Sequence, residues 1–178
     1  MNLKLEKIIS SISIIILAFL FHNLYKWYPN PLFAIFFPVN ESIFEHMKIF
    51  ISSICFYSIF EYIILIKYKI KFNNFLFNIF ITSILSIIIY LIIFLPVYNL
   101  IGDNMIFSIG LMIIVIILSQ IISYYILKLN HINYINGISL VLIIICYIIF
   151  GYLTYHPLHN YIFIDSINNT YGINQYNI

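Results

Sequence analysis

Charged side chains are scarce in this 178-residue sequence: Asp, Glu and Lys make up 8% of it, and arginine is absent. By contrast, 63% of the residues are hydrophobic and the mean hydropathy is +1.06, more than the core of a soluble domain of this length holds. The composition therefore predicts an integral membrane protein. The net charge of +2 is scattered and forms no basic stripe interleaved with aromatic residues, which argues against a nucleic-acid partner.

Standard catalytic signatures are also missing. The sequence contains no GxSxG elbow, no HExxH motif and no glycine-rich phosphate loop. Its two cysteines, Cys55 and Cys146, lie in apolar stretches, which is typical of small buried thiols rather than of a disulfide or of metal ligands. Because Ile, Asn, Lys, Tyr and Phe are used heavily throughout, the rarer His, Asp, Glu and Pro residues carry most of the information about function.

Long apolar runs dominate what remains. Each is close to the roughly 20 residues that cross a bilayer as a helix. They predict an all-α bundle of about five transmembrane helices in a single domain, residues 1–178, with spans near 8–27, 42–66, 75–95, 105–127 and 134–153 and a polar tail at 154–178. No small-x-small cleavage site follows the first run, so we expect an uncleaved span. The apolar loop 29–39 is expected to lie on the membrane surface or to dip into it.

The lysines indicate an orientation. A cytoplasmic N-terminus places six of them inside the cell (Lys4, Lys7, Lys67, Lys69, Lys71 and Lys128) and two outside. We therefore expect a multi-pass protein of the cell membrane with its C-terminal tail on the outer face. This topology gathers most of the acids and histidines on that face: His22, Glu41, Glu45, His46, Asp103, His156, His159 and Asp165.

The segment PVNESIFEHMK, residues 38–48, concentrates ionisable groups at the start of the second span. Glu41, Glu45, His46 and Lys48 lie within eight positions, next to hydrocarbon, where each uncompensated charge costs about 2.5 kcal/mol or more. Glu41 and Glu45, four residues apart, repel each other. Lys48 can neutralise one of them, and the other needs a proton, a histidine or a metal. Alternatively, Ser42 and Glu45 form an S-x-x-E capping box that only begins the helix.

The tail offers a second set of ligands. His156 and His159 are three residues apart and Asp165 follows them. Neutral imidazole and carboxylate are ordinary ligands of zinc, so His46, His156, His159 and Asp165 are candidates to bind zinc or another divalent metal. Histidines in a tail are often without any such role. Glu61 is expected to pair with Lys67 or to extend to the interface.

Together with the tail elements YHP, FID and TYGI, the PVNESIFEHMK block resembles a bacterial domain-of-unknown-function family of small multi-pass membrane proteins. In that family a P-V-N-E-S-x-x-E-H-x-K block opens the second span. The resemblance implies that Asn40, Glu41, Ser42, Glu45, His46 and Lys48 occupy the family motif, but it implies no activity. The family tail has two adjacent prolines, where this chain has Pro157 and Leu158.

Three functions fit these residues. In a metal-assisted hydrolase or transferase with a lipid-like or other small-molecule substrate, Glu41 or Glu45 is the general base, His46 with His156 or His159 binds metal or acts as an acid, and Lys48 neutralises developing negative charge. In a small transporter, the same groups line a path for a proton or cation. In an assembly subunit, the tail binds a partner protein. The sequence does not indicate whether the protein is a monomer or an oligomer.

Overall fold

The chain folds into six α-helices in a computed structural model that describes residues 1–102, 104–165 and 167–173. The helices are α1 (Leu3–Trp27), α2 (Pro31–Phe36), α3 (Ile43–Lys67), α4 (Phe75–Ile101), α5 (Met105–Lys128) and α6 (Ile135–Tyr155). All except the short α2 are long and apolar enough to cross a membrane. The predicted all-α bundle with five candidate spans is therefore confirmed, and α2 occupies the predicted apolar loop.

Two helices, α1 and α4, extend well beyond their predicted ends, whereas α3, α5 and α6 end within two residues of theirs. Helix α1 begins at Leu3 because the side chain of Asn2 accepts a hydrogen bond of 2.9 Å from the Leu5 amide and caps the first turn. Helix α4 continues through Pro96 to Ile101, so its predicted end at residue 95 was too early. A proline stops a helix less strictly in a membrane bundle than in water, because its neighbours can satisfy the freed carbonyl.

Four of the helices form a closed ring. Helix α1 packs against α3 and α5, and α4 packs against the same two helices from the other side. Helix α6 lies outside this ring on α4, and α2 packs against α6. The core inside the bundle is apolar and includes Ile14, Phe50, Ile54, Val115 and Ile116. The buried ionisable groups lie above and below this layer, at the two ends of the ring.

Successive long helices run antiparallel, so each end of the bundle collects particular termini. We call "tail end" the end that carries α2, the C-termini of α1, α4 and α6, the N-termini of α3 and α5, and the segment after residue 155. The "N-terminal end" is the opposite one. There, Glu61 forms an ion pair with Lys7 of α1. The expectation that Glu61 pairs with Lys67 or extends to the interface was wrong, because α1 brings a buried lysine directly to it.

Candidate functional site

The start of α3 is capped as its sequence predicts. The Ser42 hydroxyl accepts a hydrogen bond of 3.3 Å from the Glu45 amide, and the Asn40 side chain accepts one of 2.9 Å from the Ser42 amide. The Glu45 carboxylate accepts from the amide of Val39, at 3.0 Å. These bonds satisfy amides that would otherwise lack acceptors at a helix N-terminus. They also fix the direction in which Glu41, Glu45 and His46 leave the backbone.

Glu45 and Lys48 form a closed, buried ion pair. The Lys48 ammonium donates to Glu45 Oε2 at 2.6 Å, to the Ala34 carbonyl at 2.7 Å and to Thr154 Oγ1 at 2.5 Å. Thr154 lies 2.9 Å from the other carboxylate oxygen. Lys48 has three protons to donate, and each has an acceptor in this network. Because Glu45 and Lys48 belong to α3, Ala34 to α2 and Thr154 to α6, the network connects three helices at the tail end.

Glu41, by contrast, faces two histidines. Its Oε2 lies 3.4 Å from His46 Nε2 and 3.7 Å from His22 Nε2, and the two imidazole rings are 5.1 Å apart between centroids. One ligand atom from each of the three side chains lies within 4.8 Å of the other two. The side chains are between 29% and 39% exposed, so the group is open to solvent on one side. The three residues thus form a group that can hold a metal ion.

Hydrogen bonds orient this group. His46 Nδ1 lies 2.8 Å from the Ser42 carbonyl, which can only accept, so Nδ1 carries a hydrogen and Nε2 points toward Glu41. A hydrogen bond from His46, together with the charges of both histidines, outweighs partial burial and lowers the pKa of Glu41. The carboxylate is therefore ionised at neutral pH, which is the form that binds a metal ion.

The group lies at the mouth of a cavity of about 450 Å³ inside the helix ring. Helices α1, α3, α4 and α5 all contribute to its wall, and Ile164 and Ile167 of the tail lie at its edge. Apart from His22, Glu41, His46, Ser108 and the tyrosine hydroxyls, the lining is apolar and aromatic: Phe50, Tyr90, Phe94, Tyr98 and Met112 are examples. The cavity is therefore amphipathic, and His22, Glu41 and His46 lie together in its lining.

The structure brings together only part of the predicted sites. Of the predicted catalytic residues, Glu41 and His46 line the cavity, whereas Glu45 and Lys48 belong to the buried ion pair beside it. Of the predicted metal ligands, only His46 lies in the three-residue group. His156 packs against Tyr152 at 4.9 Å between ring centroids, and His159 against Tyr171 at 4.7 Å.

Asp165 supports the site without being one of its potential ligands. Its carboxylate accepts hydrogen bonds from the amides of Ile167, at 2.8 Å, and Asn168, at 3.1 Å, and from the Asn168 side chain. Burial opposes its ionisation, but these bonds and one from the Glu41 amide outweigh burial and lower its pKa. Asp165 thus folds the tail into a turn and holds the backbone of Glu41 against it.

His22 is the member of the group that the sequence did not single out. It lies near the end of α1, nineteen residues before Glu41. The predicted topology placed it on the same face as Glu41 and His46, but no motif distinguished it from the two tail histidines. Only the packing of α1 against α3 selects it.

The family model described as "Family of unknown function (DUF6512)" matches residues 1–173. No curated protein and no solved structure matches the chain.

Proposed function

The chain belongs to this family of unknown function, and we propose from its geometry that it is a metal-dependent membrane hydrolase acting on a lipid-like substrate. Three potential ligands at the polar mouth of an otherwise apolar cavity support this function most directly. A metal ion held by these ligands would bind the reacting group, and the apolar part of the cavity would hold a hydrocarbon chain.

The residues fit a zinc ion. Tetrahedral zinc with ligands at about 2.0–2.1 Å separates those ligands by about 3.3 Å. The separations of 3.4 and 3.7 Å around Glu41 Oε2 are close to this value, and the ligand atoms of the two histidines lie within 4.8 Å of each other. Two histidines and one glutamate are also a ligand set of catalytic zinc, which keeps its fourth position for water or substrate.

The bonds around His46 and Glu41 suit a ligand role as well, whereas His22 Nδ1 has no hydrogen-bond partner among the described residues. A metal-binding imidazole commonly donates its second ring N–H to a carbonyl or carboxylate, which fixes its orientation. His46 does so toward the Ser42 carbonyl. Asp165 plays a similar supporting role for Glu41 through the backbone. The capped start of α3 therefore acts as a rigid mount for two of the three ligands.

The cavity favours an amphipathic substrate. Its aromatic and aliphatic lining, including Phe50, Phe94 and Met112, suits an acyl or prenyl chain, while His22, Glu41 and His46 lie where a polar headgroup would stay. Such a molecule reaches the site from the bilayer, which the five apolar helices require as their environment. We propose an ester or phosphoester headgroup, because such groups join the polar and hydrocarbon parts of an amphipathic lipid and a polarised water can cleave them.

A bound divalent metal would supply a water of lowered pKa and polarise the scissile group. In hydrolysis the water oxygen bonds to the carbonyl carbon or phosphorus, and the bond to the leaving oxygen breaks. That oxygen takes one water proton, and the other passes to solvent. The chain holds the ligands in place, excludes bulk water along the apolar wall and offers the Tyr98 hydroxyl to orient the headgroup. A transferase would use an acceptor hydroxyl in place of water.

The lysines support an outer-face location for this site. Five exposed lysines lie at the N-terminal end of the bundle (Lys4, Lys67, Lys69, Lys71 and Lys128), and only Lys26 is exposed at the tail end, because Lys48 is buried. An excess of lysine on one side is typical of the cytoplasmic face. We propose that the cavity opens toward the outer face of the cell membrane.

Transport is less well supported. Between the cavity and the polar groups at the N-terminal end, the core side chains include Ile14, Ile54 and Ile87. The Ser53 and Ser86 hydroxyls at this depth donate to carbonyls of their own helices, at 2.6 Å each. In the part of the chain that the structure describes, this apolar layer separates the two polar ends.

The test is hydrolysis by purified protein in detergent micelles. A panel of amphiphilic esters and phosphoesters is offered to zinc-loaded wild type, His22→Ala and the matched control His159→Ala, whose ring packs on Tyr171 instead. We expect turnover that chelation abolishes and zinc restores, a loss of about 100-fold or more in His22→Ala, and wild-type rates in the control. Hydrolysis that survives chelation, or zinc-loaded protein that turns over no member of the panel, would contradict the proposal.

A further inference from the structure

A second group of ionisable side chains lies at the N-terminal end of the bundle, across the apolar layer from the cavity. Glu6 and Lys7 on α1 meet Glu61 on α3, and the exposed fractions of the three side chains are 0%, 6% and 5%. Gln120 of α5 and Tyr57 of α3 complete the group. These side chains are buried, like the Glu45–Lys48 pair, but their charges do not balance.

Lys7 forms its closest ion pair with Glu61. Its ammonium donates a short hydrogen bond to Glu61 Oε1 and a longer one, 3.4 Å, to Gln120 Oε1. Glu6 receives its hydrogen bonds from hydroxyls instead: its Oε1 accepts from Ser10 at 2.6 Å and from Tyr57 at 3.2 Å. Glu6 Oε2 is 3.4 Å from the Lys7 ammonium and has no hydrogen-bond partner among the described residues.

No other charge compensates for this imbalance among the described helices of the ring. Helix α4 contains no charged residue, and the only one in α5, Lys128, is exposed and lies beside Tyr124. Two carboxylates therefore face one ammonium, and one oxygen of the pair lacks a donor. A buried net charge is costly in a medium of low polarity, and the group can avoid that cost by taking up a proton.

We propose that Glu6 and Glu61 together form a buried proton-binding site that holds one exchangeable proton. An O–H bond forms on one of the two carboxylates with a proton taken from water, and the group, which then holds one carboxylate and one ammonium, becomes neutral. The proton is exchanged with water at the N-terminal end, where Lys4 is exposed. Because the two carboxyls interact through Lys7, the proton belongs to the pair rather than to either residue.

This proton-binding site is independent of the cavity that His22, Glu41 and His46 line. It shares no residue with the cavity, and the layer that contains Ile14 and Ile54 lies between them. It gives the chain a group that can take up or release a proton from the side of the membrane opposite to the proposed reaction.

The proposal predicts how many carboxyl groups are protonated in each variant, and this number can be measured. Infrared spectroscopy of the full-length protein in nanodiscs, in H₂O and D₂O at neutral pH, counts protonated carboxyl groups by their isotope-sensitive C=O band. We expect about one per chain in wild type. Both Glu6→Gln and Glu61→Gln should reduce the count to zero, because either change leaves one carboxylate opposite one ammonium. Lys7→Met should raise it to about two.

Glu41→Gln is the matched control, since that carboxylate is ionised and lies at the other end of the bundle; it should leave the band unchanged. Size-exclusion profiles and melting curves establish that each variant is folded. A wild-type protein without the band at neutral pH overturns the proposal, and this measurement needs no variant. A band that persists in both Gln variants also overturns it, because the proton then resides on another carboxyl group.

Discussion

Replacing Lys48 with methionine tests whether the Glu45–Lys48 pair is a structural tie or part of the chemistry. The variant keeps most of the side chain's volume but removes the ammonium, which makes three hydrogen bonds and is 0% exposed. Glu45 is left as a buried carboxylate without its counter-ion. Breaking a buried pair from one side costs about 3–5 kcal/mol, so the unfolding equilibrium should shift by roughly two to four powers of ten.

The assay is denaturant unfolding in mixed micelles, followed by circular dichroism, for Lys48→Met, Glu45→Gln and the double variant. We expect the double variant to be more stable than Lys48→Met, because it removes the uncompensated charge. Zinc affinity of the fraction that remains folded should be unchanged, since neither residue lines the cavity. A destabilisation below about 1 kcal/mol, with loss of hydrolysis in a stable protein, would refute the structural role and support the catalytic one predicted from sequence.

Two further changes test the mount of the site. Asp165→Asn should lower the free energy of unfolding by about 1–2 kcal/mol. Because the fold lowers the pKa of Asp165, this loss should be complete above about pH 5 and should disappear as the pH falls through the lowered pKa. Unfolding measured at a series of pH values tests this dependence. A difference that stays constant with pH would assign it to side-chain shape rather than charge. Ser42→Ala removes the cap of α3 and should cost about 1 kcal/mol in the same assay, whereas an unchanged stability would show that Asn40 and Glu45 suffice to begin the helix.

The class and the spans of the fold could be predicted because the bilayer constrains them. Apolar length, a few interrupting prolines and the positions of lysines were sufficient for five helices. The predicted ends of the helices were less accurate, because helix ends depend on single contacts such as the Asn2 cap that extends α1 toward the N-terminus. Lys7 was expected beside the membrane as an orienting charge; it lies inside the bundle because Glu61 meets it there.

The candidate site could be predicted only in part. The PVNESIFEHMK block correctly drew attention to Glu41 and His46, which line the cavity. It could not separate them from Glu45 and Lys48, which contact α2 and α6. Glu41 lies before α3 begins at Ile43, and His46 leaves the helix about 100° around its axis from Glu45. His22 was indistinguishable from His156 and His159 by sequence, since the choice depends on which helices pack together and not on local spacing.

The metal content of the purified protein tests the central claim most directly. Elemental analysis after zinc is offered and the excess removed should find about one zinc per chain in wild type, His156→Ala and His159→Ala, and almost none in His22→Ala, Glu41→Gln or His46→Ala. A folded wild type that retains no zinc, or a loss of zinc in His156→Ala with retention in His22→Ala, would contradict the account.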